Sequence, residues 1–256
     1  MNIYYGVTNY HRPEIKTLKT LEKIGVPPER VIITLNDLND AEECERRYGA
    51  KYKIIAKEGR NVACNRNTIL DYYPKGEVII VLDDDVIAFK TLARADTKSG
   101  VKLKAIETAE RLENIFRSCA TECIRQRKRL FGGYPVPNEM FMLQAIKRDG
   151  KYSRNKIWAG GLTGFINSDL RLDESYDLEE DYEIQVREIS TGRGTLRRND
   201  ISADHNVNNG GCNERYVNGE QPAMLRKLQR QYPNLVSVKK NNTGIVLKRA
   251  REGQSE

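Results

Sequence analysis

The stretch EVIIVLDDDVIAF, residues 77–89, runs from five apolar residues into three consecutive aspartates and returns at once to apolar residues. An apolar run without polar alternation is typical of a strand that is buried on both faces of a parallel sheet. Three neighbouring carboxylates at the end of such a strand repel one another unless a cation shares their charge. The stretch therefore predicts a buried strand that ends at a cation site.

The segments that precede this strand alternate between strand and helix patterns. Apolar strands are predicted at 2–8, 30–37, 52–57 and 77–85, and helices at 12–25, 40–49 and 62–73. Strands separated by helices indicate a parallel sheet that is covered on both faces, and ligands of such sheets bind beyond the carboxyl ends of the strands. We therefore predict an α/β, Rossmann-like architecture, with the three aspartates at its ligand-binding edge.

The pattern changes after residue 90. Apolar spacing predicts one long inserted helix from Val101 to Leu130, with basic residues in its last turn. A Gly/Pro loop, FGGYPVPNE (131–139), follows, and then a Gly-rich turn that leads to strands and the acidic start of a helix. No linker separates these segments, so we predict a single domain over 1–256, with a nucleotide-binding half (1–90), an acceptor-binding half (91–256) and a basic C-terminal tail.

Composition limits the function classes. The formal charge of the 256 residues is +7, which suits a polyanionic partner but also serves solubility alone. No segment approaches the length of a membrane span, and the N-terminus lacks the pattern of a secretion signal. The five cysteines are odd in number and lack zinc-binding spacing. These features predict a cytoplasmic protein with reduced thiols.

The aspartates Asp83, Asp84 and Asp85 fit a hard divalent cation. Mg²⁺ and Mn²⁺ prefer oxygen ligands and take one or two carboxylates together with substrate phosphates. The alternative is a solvated turn or a helix N-cap, for which aspartate is also common. The preceding buried strand favours the metal site.

The chain resembles the GT-A glycosyltransferases through segments that occur in the same order. The segments are the first strand and loop YYGVTNYHRP, the helix start GRNVACNRN with Arg60 and Arg66, the Asp-x-Asp motif, WAGGLTGF with Gly160 and Gly161, LEEDYE with Glu179, Glu180 and Asp181, and the late histidine His205.

This resemblance implies a metal-dependent transfer of a sugar from a nucleotide-sugar donor. It implies Mn²⁺ or Mg²⁺ held by Asp83, Asp85 and His205, with Asp181, or else Glu180, as the base that deprotonates the acceptor. Glu180 and Asp181 also suit a helix start without any catalytic role.

Several other residues are candidates for the donor and acceptor sites, each with a structural alternative. Arg60 and Arg66 suit phosphates or surface ion pairs, and Asp84 suits the ribose. Thr8, Arg12, Asn36 and Asp37 follow the first two strands, where they either contact the nucleotide or act as turn residues. Trp158, Gly160 and Gly161 are candidates for acceptor binding, although a tryptophan is more often a core residue.

A narrower resemblance concerns the phage TET-associated glycosyltransferases, which glycosylate 5-hydroxymethylcytosine in DNA. It rests on the length, the basic charge, the helix end RQRKR (125–129) and the loop 131–139. It implies double-stranded DNA as acceptor, glucose or N-acetylglucosamine from a UDP donor, and the host cytoplasm as location. The helix end, TLRRND (195–200) and the terminal KKNNTGIVLKRAR would supply phosphate contacts, Trp158, Tyr134 or Tyr216 an aromatic for an extruded base, and the segment 208–216 a lid.

Three alternatives stay open at this point. One is a glycosyltransferase of the same fold that acts on a polysaccharide, lipid or protein. Another is a nucleotidyltransferase, which would release pyrophosphate from a nucleoside triphosphate. A protein that only binds DNA would have no use for the aspartates, so it fits least well.

Overall fold

Four parallel strands form the first half of the central sheet of the computed structural model. They are β1 (Ile3–Asn9), β2 (Val31–Leu35), β3 (Lys53–Ala56) and β4 (Val78–Asp83). The structure describes residues 1–57, 61–158, 161–206, 220–241 and 244–248. The helices between these strands are α1 (Lys16–Ile24), α2 (Leu38–Tyr48) and α3 (Val62–Tyr72), so the predicted alternation is confirmed.

In the described residues after β4, nine further strands and four further helices follow. The strands are β5 (Val86–Arg94), β6 (Val101–Ala105), β7 (Leu130–Gly132), β8 (Tyr152–Arg154), β9 (Thr163–Ile166), β10 (Leu196–Arg198), β11 (Ile201–His205), β12 (Val236–Val238) and β13 (Ile245–Leu247). The helices are α4 (Ala109–Arg125), α5 (Glu139–Asp149), α6 (Glu180–Ser190) and α7 (Glu220–Gln231).

The central sheet has the strand order β3-β2-β1-β4-β9-β7-β10-β8. The pairs from β3 to β4 and the pair β7–β10 are parallel, whereas β9 runs antiparallel to both of its neighbours and β8 antiparallel to β10. The predicted fold class, a mostly parallel α/β sheet of Rossmann-like type with flanking helices, is confirmed.

Alternate residues of the central strands point to opposite faces, and each face has its own core. Val78, Ile80 and Leu82 of β4 pack with α1 and α4, while Ile79 and Val81 pack with α3 and α6. Burial of both faces explains why β4 shows no polar alternation in its sequence.

Helix α3 lies deep in the molecule. Asn61 caps its first turn by accepting a hydrogen bond from the amide of Cys64 at 3.0 Å. Residues 63–70 of the helix are all buried, so the polar side chains among them must find partners inside the protein.

The prediction of one helix from Val101 to Leu130 is wrong at both ends. Residues 101–105 form strand β6, and α4 begins only after Thr108, whose hydroxyl accepts a hydrogen bond from the amide of Arg111. The segment VKLKA has alternating exposure because β6 lies at the edge of a second sheet of order β11-β5-β6. A short alternating run is compatible with the periodicity of a helix and with that of a strand. Pairing with β5 makes this segment a strand.

A third apolar cluster joins α6 to the C-terminal part of the chain. Tyr176 and Val186 pack there with Leu225 and Leu228 of α7 and with the β12–β13 hairpin. Among the described helices, none combines the length and apolar character that crossing a membrane requires.

Candidate functional site

The antiparallel strand β9 brings the Gly-rich turn to the aspartates. Val81 of β4 pairs with Thr163, so the segment before β9 lies beside the carboxyl end of β4. The amide of Gly161 accordingly donates a hydrogen bond to Asp83 Oδ2 at 3.3 Å. The Gly-rich segment is thus part of the Asp83 site.

The second sheet brings His205 to the same place. Strand β5 starts directly after Asp85, and β11 pairs with it in antiparallel register, so His205 lies opposite Val86. A register shift between Asp204 and His205 marks a bulge, a feature that re-aims side chains. The imidazole Nδ1 of His205 lies 2.7 Å from Asp85 Oδ1.

Asp83, Asp85 and His205 form a candidate metal centre. Each offers a ligand atom, and these atoms lie within 4.8 Å of one another. Two carboxylates and an imidazole suit Mn²⁺ and similar divalent cations, and positions left open suit water or phosphate oxygens. This donor set fits the predicted ion, and the three predicted ligands are brought together.

Charges around the centre favour the ionised forms of Asp85 and His205. Burial opposes the charged form of Asp85, but the hydrogen bond with His205 and the guanidinium of Arg12 hold the pKa of Asp85 below its ordinary value. Burial likewise favours the neutral imidazole, yet Asp85 and Asp83 raise the pKa of His205. A bound cation would take the place of that proton between the carboxylates.

Asp84 is not part of this group of potential ligands. Its side chain is buried, accepts a hydrogen bond from the amide of Tyr10 at 3.3 Å and pairs with the guanidinium of Arg12. Burial raises the pKa of Asp84 to about 7, an effect that Arg12 opposes. This carboxylate therefore anchors the β1–α1 loop, whereas the sequence prediction assigned it to the ribose.

Arg12 connects two of the aspartates. Its guanidinium pairs with Asp84 and lies 3.0 Å from Asp85 Oδ2. Its predicted role was a nucleotide contact; in the structure it neutralises carboxylates at the site. The position next to a candidate metal ligand keeps it close to any bound phosphate.

Arg66 joins the aspartates to the acidic start of α6. The two terminal nitrogens of its buried guanidinium lie 2.9 Å from Asp83 Oδ1 and 2.8 Å from Glu180 Oε1. Because α3 begins after β3, its first turns lie at the edge of the sheet where the aspartates are. The structure thus shows Arg66 bound to carboxylates.

Helix α6 begins with three consecutive carboxylates, Glu179, Glu180 and Asp181. Burial raises the pKa of Glu180 to about 7, although Arg66 opposes this, and raises the pKa of Glu179 to about 8. Asp181 is half-buried and accepts a hydrogen bond from the amide of Tyr182 at 2.8 Å. Of the two predicted base candidates, Glu180 is committed to Arg66.

Glu179 belongs to the acidic motif LEEDYE, but the sequence assigns it no role in the site. Its backbone is left-handed, with φ 64°, and its carboxylate accepts a hydrogen bond from Gln221 Nε2 of α7 at 2.7 Å. A run of three acidic residues at a helix start is the one signal that pointed to it. Its partner on α7 could not be inferred, because the two residues are 42 positions apart.

Gly161 fits because it has no side chain. Its φ is +29°, and a Cβ atom at this position would lie 1.6 Å from His205 Nε2. The glycine therefore allows the backbone to approach the imidazole closely. Its predicted acceptor role stays a prediction, while its contact with the metal centre is visible in the structure.

The remaining donor candidates lie around the carboxyl ends of β1 and β2. Thr8 is buried at the end of β1, and its hydroxyl lies 3.4 Å from the Leu82 carbonyl. Asp37 caps α2 through the amide of Asn39 at 2.8 Å, which is the turn role. Asp37 also belongs to a second group of potential ligand atoms, with His11 and Asp40. The side-chain carbonyl of Asn36 is buried without a hydrogen-bond partner in the described part of the chain.

Trp158 is a core residue. Its side chain is 2% exposed, and the indole Nε1 donates a hydrogen bond to Thr163 Oγ1 at 3.1 Å. An indole with this burial fits the core alternative, and its role in acceptor binding stays a prediction. Tyr134 is half-buried, and the guanidinium of Arg197 lies 4.8 Å from its ring centroid.

Most of the basic residues predicted to contact DNA are engaged within the protein. Arg125 pairs with Glu122, and Arg129 pairs with the buried Glu188 at 2.9 Å. Lys128 donates a hydrogen bond to the Arg193 carbonyl, and Arg198 is buried against Asp200. These contacts hold the side chains against the protein, and their contact with DNA phosphates stays a prediction.

Some predicted features lie outside the described residues. They are Arg60, Gly160, Tyr216, the segment 208–216 and the last part of the basic tail.

Comparisons with known proteins give only remote likenesses. No protein-family model matches the chain. The protein pelota homolog of Caldivirga maquilingensis is 28% identical over an alignment of 134 positions, which covers 48% of this chain and 37% of that protein. A likeness of this extent shows no family membership.

Two solved structures resemble the chain in part. CMP:2-keto-3-deoxy-manno-octonic acid synthetase in complex with CTP has a TM-score of 0.47 at 9% identity, covering 91% of this chain and 100% of that one. The 4-diphosphocytidyl-2C-methyl-D-erythritol synthase of Anaerococcus prevotii has a TM-score of 0.32 at 10% identity, covering 71% and 82%. Likenesses with scores this low show nothing about the function of the chain.

Proposed function

We propose that this protein is a divalent-metal-dependent transferase that takes a sugar from a UDP-sugar donor. The observation that supports this most is the convergence of three distant segments. Asp83 ends β4 and Asp85 follows it, His205 ends β11, and Arg66 links Glu180 at the start of α6 to Asp83. Metal ligands and candidate bases at one sheet edge are what transfer from a nucleotide diphosphate requires.

The metal ligands and Arg12 would act on the leaving group. Asp83, Asp85 and His205 would hold the cation, which neutralises the diphosphate when bound. Arg12 lies against Asp85, where its charge limits repulsion between the carboxylates and the phosphates.

Asp181 is the proposed base. Glu180 is bound to Arg66, whereas Asp181 is half-buried at the first turn of α6. In the proposed step the acceptor oxygen bonds to the anomeric carbon while the bond from that carbon to the diphosphate oxygen breaks. The electron pair of that bond leaves with UDP, and the acceptor proton passes to Asp181.

The proposed acceptor is the hydroxyl of 5-hydroxymethylcytosine in DNA, with glucose or N-acetylglucosamine as the sugar. Support comes from the charge of +7 and from the sequence resemblance described above. Lys102 and Lys104 on the edge strand β6 are exposed and form no ion pair with a described residue, so they are available to phosphates.

One experiment separates this proposal from its rivals. The protein is incubated with Mn²⁺, UDP-glucose or UDP-N-acetylglucosamine, and oligonucleotides that contain cytosine or 5-hydroxymethylcytosine. Nucleosides and nucleotides are then quantified by mass spectrometry. We expect UDP release and a sugar-sized mass gain only on 5-hydroxymethylcytosine, with both lost in an Asp85→Ala variant that retains its fold.

Each contrary result has its own meaning. UDP release without a gain in DNA mass would contradict the DNA acceptor but keep the sugar transfer. Pyrophosphate release from a nucleoside triphosphate, without turnover of UDP-sugars, would replace sugar transfer with nucleotidyl transfer at the same site. Full activity of Asp85→Ala would contradict the metal centre.

A further inference from the structure

We propose that Arg66 is a positioning residue that couples the metal centre to the base-bearing helix α6. The catalytic part of this inference rests on the proposed function. It differs from the sequence prediction, in which Arg66 binds a donor phosphate. The difference matters because a phosphate ligand acts on donor binding, whereas a positioning residue acts on the geometry of the reacting groups.

The geometry of the guanidinium supports this role. One terminal nitrogen lies 2.9 Å from Asp83 Oδ1, and the other lies 2.8 Å from Glu180 Oε1. The planar fork of arginine fixes the angle between its two partners, which a lysine cannot do. Asp83 and Glu180 are 97 positions apart in the chain and are held together through this one side chain.

Burial makes the bridge rigid and costly to break. The Arg66 side chain is about one-tenth exposed, and that of Glu180 slightly less. A buried charge that loses its partner destabilises its surroundings strongly, so both partners hold Arg66 in place. The guanidinium therefore has little freedom to turn toward a substrate phosphate.

The coupling extends to both halves of the site. The two oxygens of Asp83 have different partners. Oδ1 accepts a hydrogen bond from Arg66, and Oδ2 accepts one from the Gly161 amide in the Gly-rich turn. Glu180 is the neighbour of Asp181 at the first turn of α6. A change in the orientation of Asp83, as on metal binding, is thus transmitted to the residue that precedes the base.

The chain offers a matched control on the same helix. Arg129 pairs with Glu188 near the other end of α6, with nitrogen–oxygen distances of 3.0 and 2.9 Å, and Glu188 is fully buried. Breaking this pair tests the effect of losing an arginine–glutamate bridge on α6 away from the site.

The kinetic test compares Arg66→Lys with Arg129→Lys. Because lysine keeps the charge but not the two-way bridge, we expect kcat to fall by about 100-fold in Arg66→Lys, with the donor KM within about threefold of wild type. Arg129→Lys should keep both constants. A rise in donor KM with unchanged kcat would overturn the inference and restore the phosphate role.

A second test needs no turnover. Mn²⁺ affinity is measured by electron paramagnetic resonance for wild type, Arg66→Gln, Glu180→Gln and the double variant, after circular dichroism has confirmed folding. The inference predicts that the effects on the dissociation constant deviate from additivity by at least about threefold. Additive effects, or no effect of Glu180→Gln, would overturn it, and either result is independent of whether the protein transfers sugars.

Discussion

At the residue scale, Gly161 is the position where backbone and site constrain each other most tightly. Gly161→Ala would place a methyl group 1.6 Å from His205 Nε2 and would strain a backbone with φ +29°. We expect a loss of about 1–3 kcal/mol in unfolding free energy and a large loss of Mn²⁺ affinity, because His205 must move. Chemical denaturation and metal titration measure the two effects.

Gly192→Ala is the control for this substitution. Gly192 has φ +78° but no atom within 4 Å of an added Cβ, so it isolates the backbone strain. The Gly192→Ala variant should lose unfolding free energy and keep its Mn²⁺ affinity. Unchanged metal affinity in Gly161→Ala would contradict the contact between the Gly-rich turn and the metal centre.

Whether the role of a single residue could be predicted depended on its neighbours in the sequence. Asp83 and Asp85 could be predicted as ligands because they stand at the end of a buried strand, and His205 because the resemblance implies a late metal-binding histidine. The partners of Arg66 could not, because an arginine that bonds to carboxylates and one that bonds to phosphate look alike in sequence. Which of these occurs depends on α6, more than one hundred positions further along the chain.

At the scale of elements, the start of α6 makes stability depend on pH. The folded protein keeps the proton of Glu179 up to a pKa of about 8, because its carboxyl group is buried. The unfolded chain releases it near pH 4.3. The folded state therefore binds more protons between these values, and the free energy of unfolding falls as the pH rises through this range.

Glu179→Gln removes this titration and keeps an oxygen for Gln221. We expect the variant to match wild type near pH 4 and to exceed it at pH 8.5 by about 1 kcal/mol or more in urea denaturation. Glu107→Gln changes an exposed glutamate and should leave the free energy of unfolding unchanged at both pH values. If the free energy of unfolding of wild type instead rose relative to that of Glu179→Gln as the pH increases, the burial of Glu179 would be contradicted.

Elements with strong local patterns were predicted well, and those that depend on pairing were not. The units from β1 to β4 carry apolar strands and clear helix stops such as Gly25, whose left-handed backbone ends α1. The sequence predicts a helix where strand β6 lies, because this segment becomes a strand only through its pairing with β5. The bulge at His205 likewise arises from pairing with β5, so no local pattern could show it.

At the scale of the whole molecule, the surplus of positive charge is the feature that favours a nucleic-acid acceptor. We expect DNA affinity to fall steeply with salt, and the double variant Lys102→Gln with Lys104→Gln to reduce the slope of log K against log salt by about 1–2. Arg125→Gln, whose arginine is paired with Glu122, should leave the slope unchanged. Fluorescence anisotropy measures all three, and a flat salt response in wild type would argue against phosphate contacts.

The central claim is that two strand-end aspartates and a histidine 120 positions later form one divalent-metal centre. Crystals soaked in Mn²⁺ and measured near the manganese absorption edge test it directly. The account predicts an anomalous difference peak among Asp83, Asp85 and His205 that disappears in Asp85→Ala. A fully soaked crystal with no peak there, or an equal peak in Asp85→Ala, would contradict it.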